Sequence, residues 1–307
     1  MSRVTLFGIL FVLGSVWGVT IPLIKITVDA GYRPFGLIFW QLVIGALVMV
    51  ALRLMQRKPM GLPLGKLWFF AVVALLGTVL PNTFSYAATF HLPAGVMAVT
   101  ISMVPIFAFP IALAMGIDRF SWLRVIGLMA GIVGVVLLVG PESLPDASKV
   151  WWVPVALIAA ISYAMEGNVV AKWGTHGFGP GHVLFGASVV GSGIALPVAL
   201  GTGQFINPLQ IPVWGLPEVA FIAASAVHVL VYSGYVWLVG RAGAVFAAQT
   251  AYVITGAGVF WSMLILNESY STWVWLAMGL IMAGMTLVRP RDNTTLADGT
   301  AIGEADL

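Results

Sequence analysis

Ten runs of about 20 mostly apolar residues follow one another along this chain, each long enough to cross the hydrocarbon core of a bilayer as a helix. They fall at 4–28, 35–54, 67–90, 92–115, 121–140, 150–171, 179–201, 216–239, 242–266 and 272–288. Barrel strands are excluded, because the runs are too long and lack the alternating polar face of a lumen. The expectation is an all-α polytopic membrane protein with ten transmembrane helices. Charge agrees: 8% of the 307 residues are Asp, Glu, Lys or Arg, against about 25% in a soluble domain. At 60% hydrophobic and a mean hydropathy of +1.03, neither a disordered chain nor a soluble enzyme is compatible. The chain has no cysteine, which removes disulfides, thiolate metal sites and thiol nucleophiles together. The first run follows Met1-Ser2-Arg3 without a small-x-small cleavage site, so it reads as a retained helix rather than a signal peptide.

The basic residues assign an orientation. With the amino terminus in the cytoplasm, Arg3, Arg53, Arg57, Lys58, Lys66, Arg119, Arg124, Lys172, Arg241, Arg289 and Arg291 lie inside, and only Lys25, Arg33 and Lys149 lie outside. That asymmetry places both termini in the cytoplasm, as an even helix count requires. It also accounts for the pI near 9.3 without nucleic acid as a partner. Trp68, Trp151, Trp152, Trp214, Trp273 and Trp275 fall near helix ends, where indoles form an interfacial belt. Residues 293–307 carry no apolar stripe and read as a disordered cytoplasmic tail. The loops are too short for a soluble domain, so function must reside in the membrane bundle.

The chain also repeats. A shift of 150 lays Ala98-Val99-Thr100 on Ala248-Gln249-Thr250, Asp118 on Glu268, Ser121 on Ser271 and Gly134 on Gly284. A shift of 146 lays Trp17 on Tyr163, Phe39 on Phe185 and Gly45 on Gly191. Two halves of five helices result, at 1–145 and 146–292. Five is odd, so the second half enters from the opposite face; such inverted repeats characterise secondary transporters, with a site near the midplane.

These features resemble the drug/metabolite transporter superfamily, in its ten-helix EamA-type branch. The resemblance rests on Trp17-Gly18, on Thr100 to Gly134 with Pro105 and Asp118, and on Thr250 to Gly284 with Asn267-Glu268. The family's usual helix-end Gly-Glu is only half kept, as Ile117-Asp118-Arg119 and Asn267-Glu268-Ser269. The resemblance implies a secondary carrier of the bacterial inner membrane, similar to exporters of amino acids and related metabolites. It further implies that helices 1–4 and 6–9 surround a cavity while helices 5 and 10 are peripheral.

Polar groups inside lipid are costly, so each marks a bond, a cavity or a task. Glu166 is the one carboxylate well inside a run, suited to hold an ammonium or carry a proton; its structural alternative is a pair with Lys172. His228 and Tyr232 share a helix face, as do Asn82 and Tyr86 at the repeat-related position, and the two faces are expected to confront each other. His228 joins Glu166 as a proton-coupling candidate. Trp17, Thr20, Gln41, Asn168, Gln249 and Tyr252 complete the candidate cavity lining, with Trp17 and Tyr252 able to stack on a substrate or its ammonium. Lys25 and Asp29 are spaced for a surface ion pair, and prolines 22, 81, 105, 110, 154 and 197 are spaced to kink the runs.

No phosphate-binding loop, zinc motif or nucleophile elbow appears, so no cofactor or metal is expected. The leading expectation is alternating-access export of a small organic metabolite, an amino acid first, with protons as the candidate exchange partner. A multidrug, organic-cation or sugar carrier is the alternative; a scaffold or an intramembrane enzyme is the reading from another class. The expected partners are a small-molecule substrate and the bilayer, with the chain a monomer or homodimer.

Overall fold

The computed structural model describes residues 3–57, 61–117, 119–139, 147–211, 213–242 and 250–287. The expected positions Asp118 and Gln249 and the 293–307 tail lie outside them. Among the described residues the regular structure is helical, with no strand. Seven helical stretches are long and apolar enough to cross a membrane, and three shorter apolar helices, Trp122–Leu137, Thr250–Leu266 and Thr272–Gly284, accompany them. The protein is a polytopic all-α membrane protein.

The chain order is α1 (Arg3–Gly18), α2 (Thr20–Asp29), α3 (Pro34–Met55), α4 (Leu67–Ala74), α5 (Leu80–Thr89), α6 (Ala94–Ile101), α7 (Val104–Ala114) and α8 (Trp122–Val139). It continues with α9 (Trp152–Trp173), α10 (Pro180–Gly201), α11 (Leu216–Ala242), α12 (Thr250–Leu266) and α13 (Thr272–Leu287). Two of the apolar runs expected as single helices are interrupted, the first at Val19 and the fourth at Ser102 and Met103. The third carries a π-helical turn at Leu75–Val79. Proline explains all three, because each lacks the N–H owed to the carbonyl four residues back. Pro22 withholds it from Gly18, where α1 ends; Pro105 from Ile101, where α6 ends; and Pro81 from Gly77, inside the π turn. Pro110 and Pro197 are instead accommodated inside α7 and α10. α11 also runs on to Ala242, beyond the expected boundary at 239.

The principal pairings are α8 with α13, α3 with α10, α1 with α12, α2 with α11, α5 with α9, α6 with α12, and α7 with α9. Replacing each apolar run by the one five later maps these pairings onto one another. α8 and α13 pack chiefly on each other, as expected of peripheral helices. Glycine allows that approach: a Cβ on Gly284 would stand 2.6 Å from the Gly127 carbonyl oxygen. Gly18 similarly lies against the Gly258 backbone where α1 meets α12.

Side-chain contacts join segments on both faces; on the amino-terminal one Lys172 donates to the Met115 carbonyl (2.9 Å) and Arg53 stands 3.4 Å from His182. On the face away from the amino terminus, Thr27 donates to the Pro217 carbonyl (3.0 Å) and Lys25 to that of Thr89 (2.9 Å). Tyr32 bonds Glu218, and the Glu268 carboxylate accepts from the α6 amides of Ala94 (2.9 Å) and Gly95 (3.2 Å). The expected Lys25–Asp29 pair forms at 2.8 Å. On the amino-terminal face, α1 packs on α11 and α12 and, among the described residues, has no comparable pairing with α4, α7 or α9.

Substituting Gly284 by Val is expected to destabilise the α8–α13 pair by about 1–3 kcal/mol, the usual cost of overpacking. Gly279→Val, where a Cβ meets nothing within 4 Å, serves as the control. Thermal unfolding in detergent checks the difference.

Candidate substrate cavity

The site begins with the π turn. Pro81 loosens α4–α5 around Gly77, and the Glu166 carboxyl of α9 lies over that glycine: a Cβ there would stand 3.0 Å from the carboxyl carbon and 3.1 and 3.3 Å from its oxygens. Glu166 is deep in the bundle yet keeps part of its surface accessible, so it faces internal space rather than packed side chains. Among the described residues no hydrogen bond or ion pair reaches it. Its electrostatic neighbours are the tyrosines Tyr163, one turn earlier on α9, and Tyr232 and Tyr235 of α11. Lys172, the alternative partner, instead donates to the Met115 carbonyl at 2.9 Å.

Two polar layers adjoin Glu166. In the first, Gln41 Oε1 accepts from Asn82 Nδ2 (2.8 Å) and from the Tyr86 hydroxyl, while the Tyr163 hydroxyl donates to Asn82 Oδ1 (2.9 Å). Gln41, Asn82 and Tyr86 are 7%, 5% and 5% exposed. In the second, Trp17 Nε1 donates to His228 Nδ1 (3.2 Å), and the indole meets Tyr232 and Tyr235 edge-on at 5.9 and 6.0 Å between centroids. Trp17, His228, Tyr232 and Tyr235 are all half-buried.

The layers correspond. Trp17 and Tyr163, Asn82 and His228, and Tyr86 and Tyr232 are each 146 positions apart, so one shift carries the Tyr163–Asn82 bond onto the His228–Trp17 bond. The expected confrontation of Asn82/Tyr86 with His228/Tyr232 is therefore replaced by something else. Asn82 bonds Tyr163 on the opening helix of the second half and His228 bonds Trp17 on that of the first, while Tyr86 bonds Gln41 within its own half.

The remaining candidates divide. The Thr20 hydroxyl donates to the Trp17 carbonyl at 2.7 Å, beside the break at Val19. Asn168 is turned from the cavity, its amide spent on the carbonyls of Ala108 (3.1 Å) and Ala164 (2.8 Å). Tyr252 lies on a separate cleft of about 640 Å³ with Ser15, Phe11 and Phe260, and the last two are 64% and 58% exposed, so this cleft faces the lipid. Tyr163 and Tyr235 were not among the expected lining residues. Their signal was spacing: Tyr163 is three residues before Glu166 and Tyr235 three after Tyr232, the helical interval that aligns side chains.

A model of the EamA-like transporter family matches the chain twice, over residues 6–140 and 150–289. The chain belongs to that family. Its sequence is similar to the uncharacterized inner membrane transporter YedA of Escherichia coli K12, at 26% identity over 288 residues, covering 92% of this chain and 90% of the relative. The YedA sequence of Escherichia coli O157:H7 matches to the same extent. One solved crystal structure superimposes with a TM-score of 0.62 at 18% identity, covering 94% of this chain and 99% of that one. That likeness concerns the fold.

In this EamA-like chain a second recess, of about 180 Å³, opens on the face away from the amino terminus. Tyr86 lines it together with Tyr32, Arg33, His91 and Trp152, so Tyr86 borders both the recess and the Gln41 layer. Beside it, burial and the Glu218 carboxylate push the Tyr32 phenol up to about 12. His91 is stacked on Trp152 at 3.9 Å between centroids. Burial, then Lys25 and Lys149, hold its imidazole below the ordinary 6.5. The unfolded chain therefore takes up this proton first, and the stability His91 contributes is present above pH 6.5 and lost as pH falls through the lower folded value. NMR titration of the His91 ring is expected to give a midpoint below 6.5 that rises in Lys149→Gln; an unmoved midpoint removes Lys149 as a cause.

Proposed function

We propose that this chain is a secondary carrier of the inner membrane, with both termini cytoplasmic, that exports a small organic metabolite by alternating access. The substrate is an amino acid or a related amphipathic compound bearing an ammonium group, exchanged for protons at Glu166. The observation that carries the reading is the Glu166 carboxylate itself, deep in the bundle with no bonded partner among the described residues. An ionised carboxylate in that setting costs several kcal/mol unless a cation or a proton neutralises it. Substrate ammonium and proton thus compete for one group, which is the chemistry of exchange.

The surroundings fit such a substrate. Trp17, Tyr232 and Tyr235 offer ring faces and edges to an ammonium and its apolar body. His228 Nδ1 accepts from Trp17, so the neutral ring carries its hydrogen on Nε2 and offers a donor to a substrate carboxylate. A proton on Nδ1 would confront the indole N–H, so this geometry favours Glu166 over His228 as the proton site. Phosphorylated substrates would need Lys or Arg in the cavity, and the basic side chains of this chain stand at the ends of the runs. The aromatic set also suits a larger organic cation, and the same measurement separates the two. Support for an inverted duplication comes from the twofold family match and from the bonds exchanged by a shift of 146.

The test is flux of labelled amino acids and organic cations in proteoliposomes, with and without an imposed pH gradient. Glu166→Gln is expected to lose gradient-dependent flux by at least about tenfold, the scale of one charge-assisted contact, while inserting and purifying normally. Ordinary pH-dependent flux in that variant would remove Glu166 from the mechanism. His228→Ala should impair flux more than His182→Ala; His182 bonds the Gly61 carbonyl at 2.6 Å, away from the cavity.

A further inference from the structure

Lys25, Arg33 and Lys149 are the three basic residues that the run boundaries place on the face away from the amino terminus, and all three gather round one recess. Arg33 lines the recess of about 180 Å³, and Lys25 and Lys149 stand close enough to His91, on its wall, to oppose a charge on that ring. The acidic side chains described on this face are already committed. Asp29 holds Lys25 at 2.8 Å, Glu218 bonds Tyr32 and accepts from the Gly215 amide (2.7 Å), and Glu268 accepts from the amides of α6. Lys25 is committed as well, to Asp29 and the Thr89 carbonyl. Among the described residues no carboxylate pairs with Arg33, which is exposed.

The walls of the recess are rings: Tyr32, Tyr86, His91 and Trp152, the last two stacked within 11° of parallel. Ring faces take a flat or apolar body, and a guanidinium takes a carboxylate through two parallel hydrogen bonds. Sites for drug-sized molecules start at about 300 Å³. A recess of about 180 Å³ therefore suits a single ring or a short chain. We propose that this recess is a binding site for a small aromatic or apolar carboxylate, its anionic group held by Arg33 in a field to which Lys149 contributes, and its body against His91 and Trp152. The polarity is opposite to that at Glu166, where the charge offered is itself a carboxylate. The recess is thus a separate site, and its assignment does not depend on the carrier reading.

The four histidines of the chain stand in different places and report where a ligand sits. His91 lines the recess, His228 bonds Trp17 beside the Glu166 tyrosines, and His176 and His182 contact Lys66 and Arg53 on the amino-terminal face. The test is an NMR titration of the histidine rings with phenylacetate at constant pH, using the full chain in phosphatidylcholine nanodiscs. The His91 resonances are expected to move saturably while those of the other three stay in place. Phenylacetamide, which keeps the ring and loses the charge, should bind at least about tenfold more weakly, the scale of one charge-assisted contact. Arg33→Gln, at an exposed position where no core packing is lost, should weaken phenylacetate by a similar factor. Arg57→Gln, which removes an exposed charge beyond the other end of α3, should leave the affinity unchanged. Movement of His228 in place of His91, equal affinity for the two compounds, or an unaltered affinity in Arg33→Gln overturns the proposal. A His91 shift produced by phosphatidylglycerol nanodiscs alone, to which phenylacetate adds nothing, gives the site to a lipid headgroup and overturns it too.

Discussion

In hydrocarbon a backbone N–H or C=O has no water to turn to, so each must be satisfied within its own helix, and a proline that withholds one N–H disturbs the chain at a known place. The rest of this structure follows from where that happens. Pro22 ends α1 at Gly18, next to Trp17 and Thr20; Pro81 opens the π turn that brings bare Gly77 under Glu166 and precedes Asn82; Pro105 ends α6 at Ile101. Irregular backbone in a membrane is tolerated where it is covered by protein or lines a cavity. Here two of the three breaks border the residues around Glu166, consistent with π turns elsewhere marking functional positions.

Glu166 gains its meaning from what surrounds it. A carboxylate bonded to Lys172 would be a structural pair, but Lys172 is committed to the Met115 carbonyl. What remains is a charge site facing tyrosines and accessible space, beside two bonded layers that one shift of 146 interchanges. Asn82 and Tyr86 are buried where His228 and Tyr232 are half-buried, while Tyr163 and Trp17 are alike in keeping accessible surface.

Much of this was legible in the residues. The ten runs, the Lys25–Asp29 pair and the prominence of Glu166 follow from length, spacing and the cost of polar groups in lipid. The contact partners were not legible to the same degree. Asn168 looked as suited to a cavity as Asn82, yet one is spent on carbonyls of α7 and its own helix while the other joins Gln41 and Tyr163. Tyr252 looked equivalent to Tyr232, yet it faces a cleft toward the lipid. An apolar helix in lipid has no hydrophobic stripe to announce its inner face, so rotation about the helix axis is set by packing with neighbours and not by periodicity.

The sequence by itself determined that the chain is a helical membrane protein, where its apolar runs lie, and which few polar residues must find partners. Those are local or solvent-imposed properties, settled by the price of a bare peptide group in hydrocarbon. Only the tertiary structure decided that Tyr163 reaches Asn82, that Trp17 reaches His228, that Glu166 has no bonded partner among the described residues, and that Asn82 and Tyr86 are buried where His228 and Tyr232 are half-buried. Each of these joins residues far apart in the chain. Their geometry depends on how small residues let one helix approach another, a balance of packing that no single segment contains.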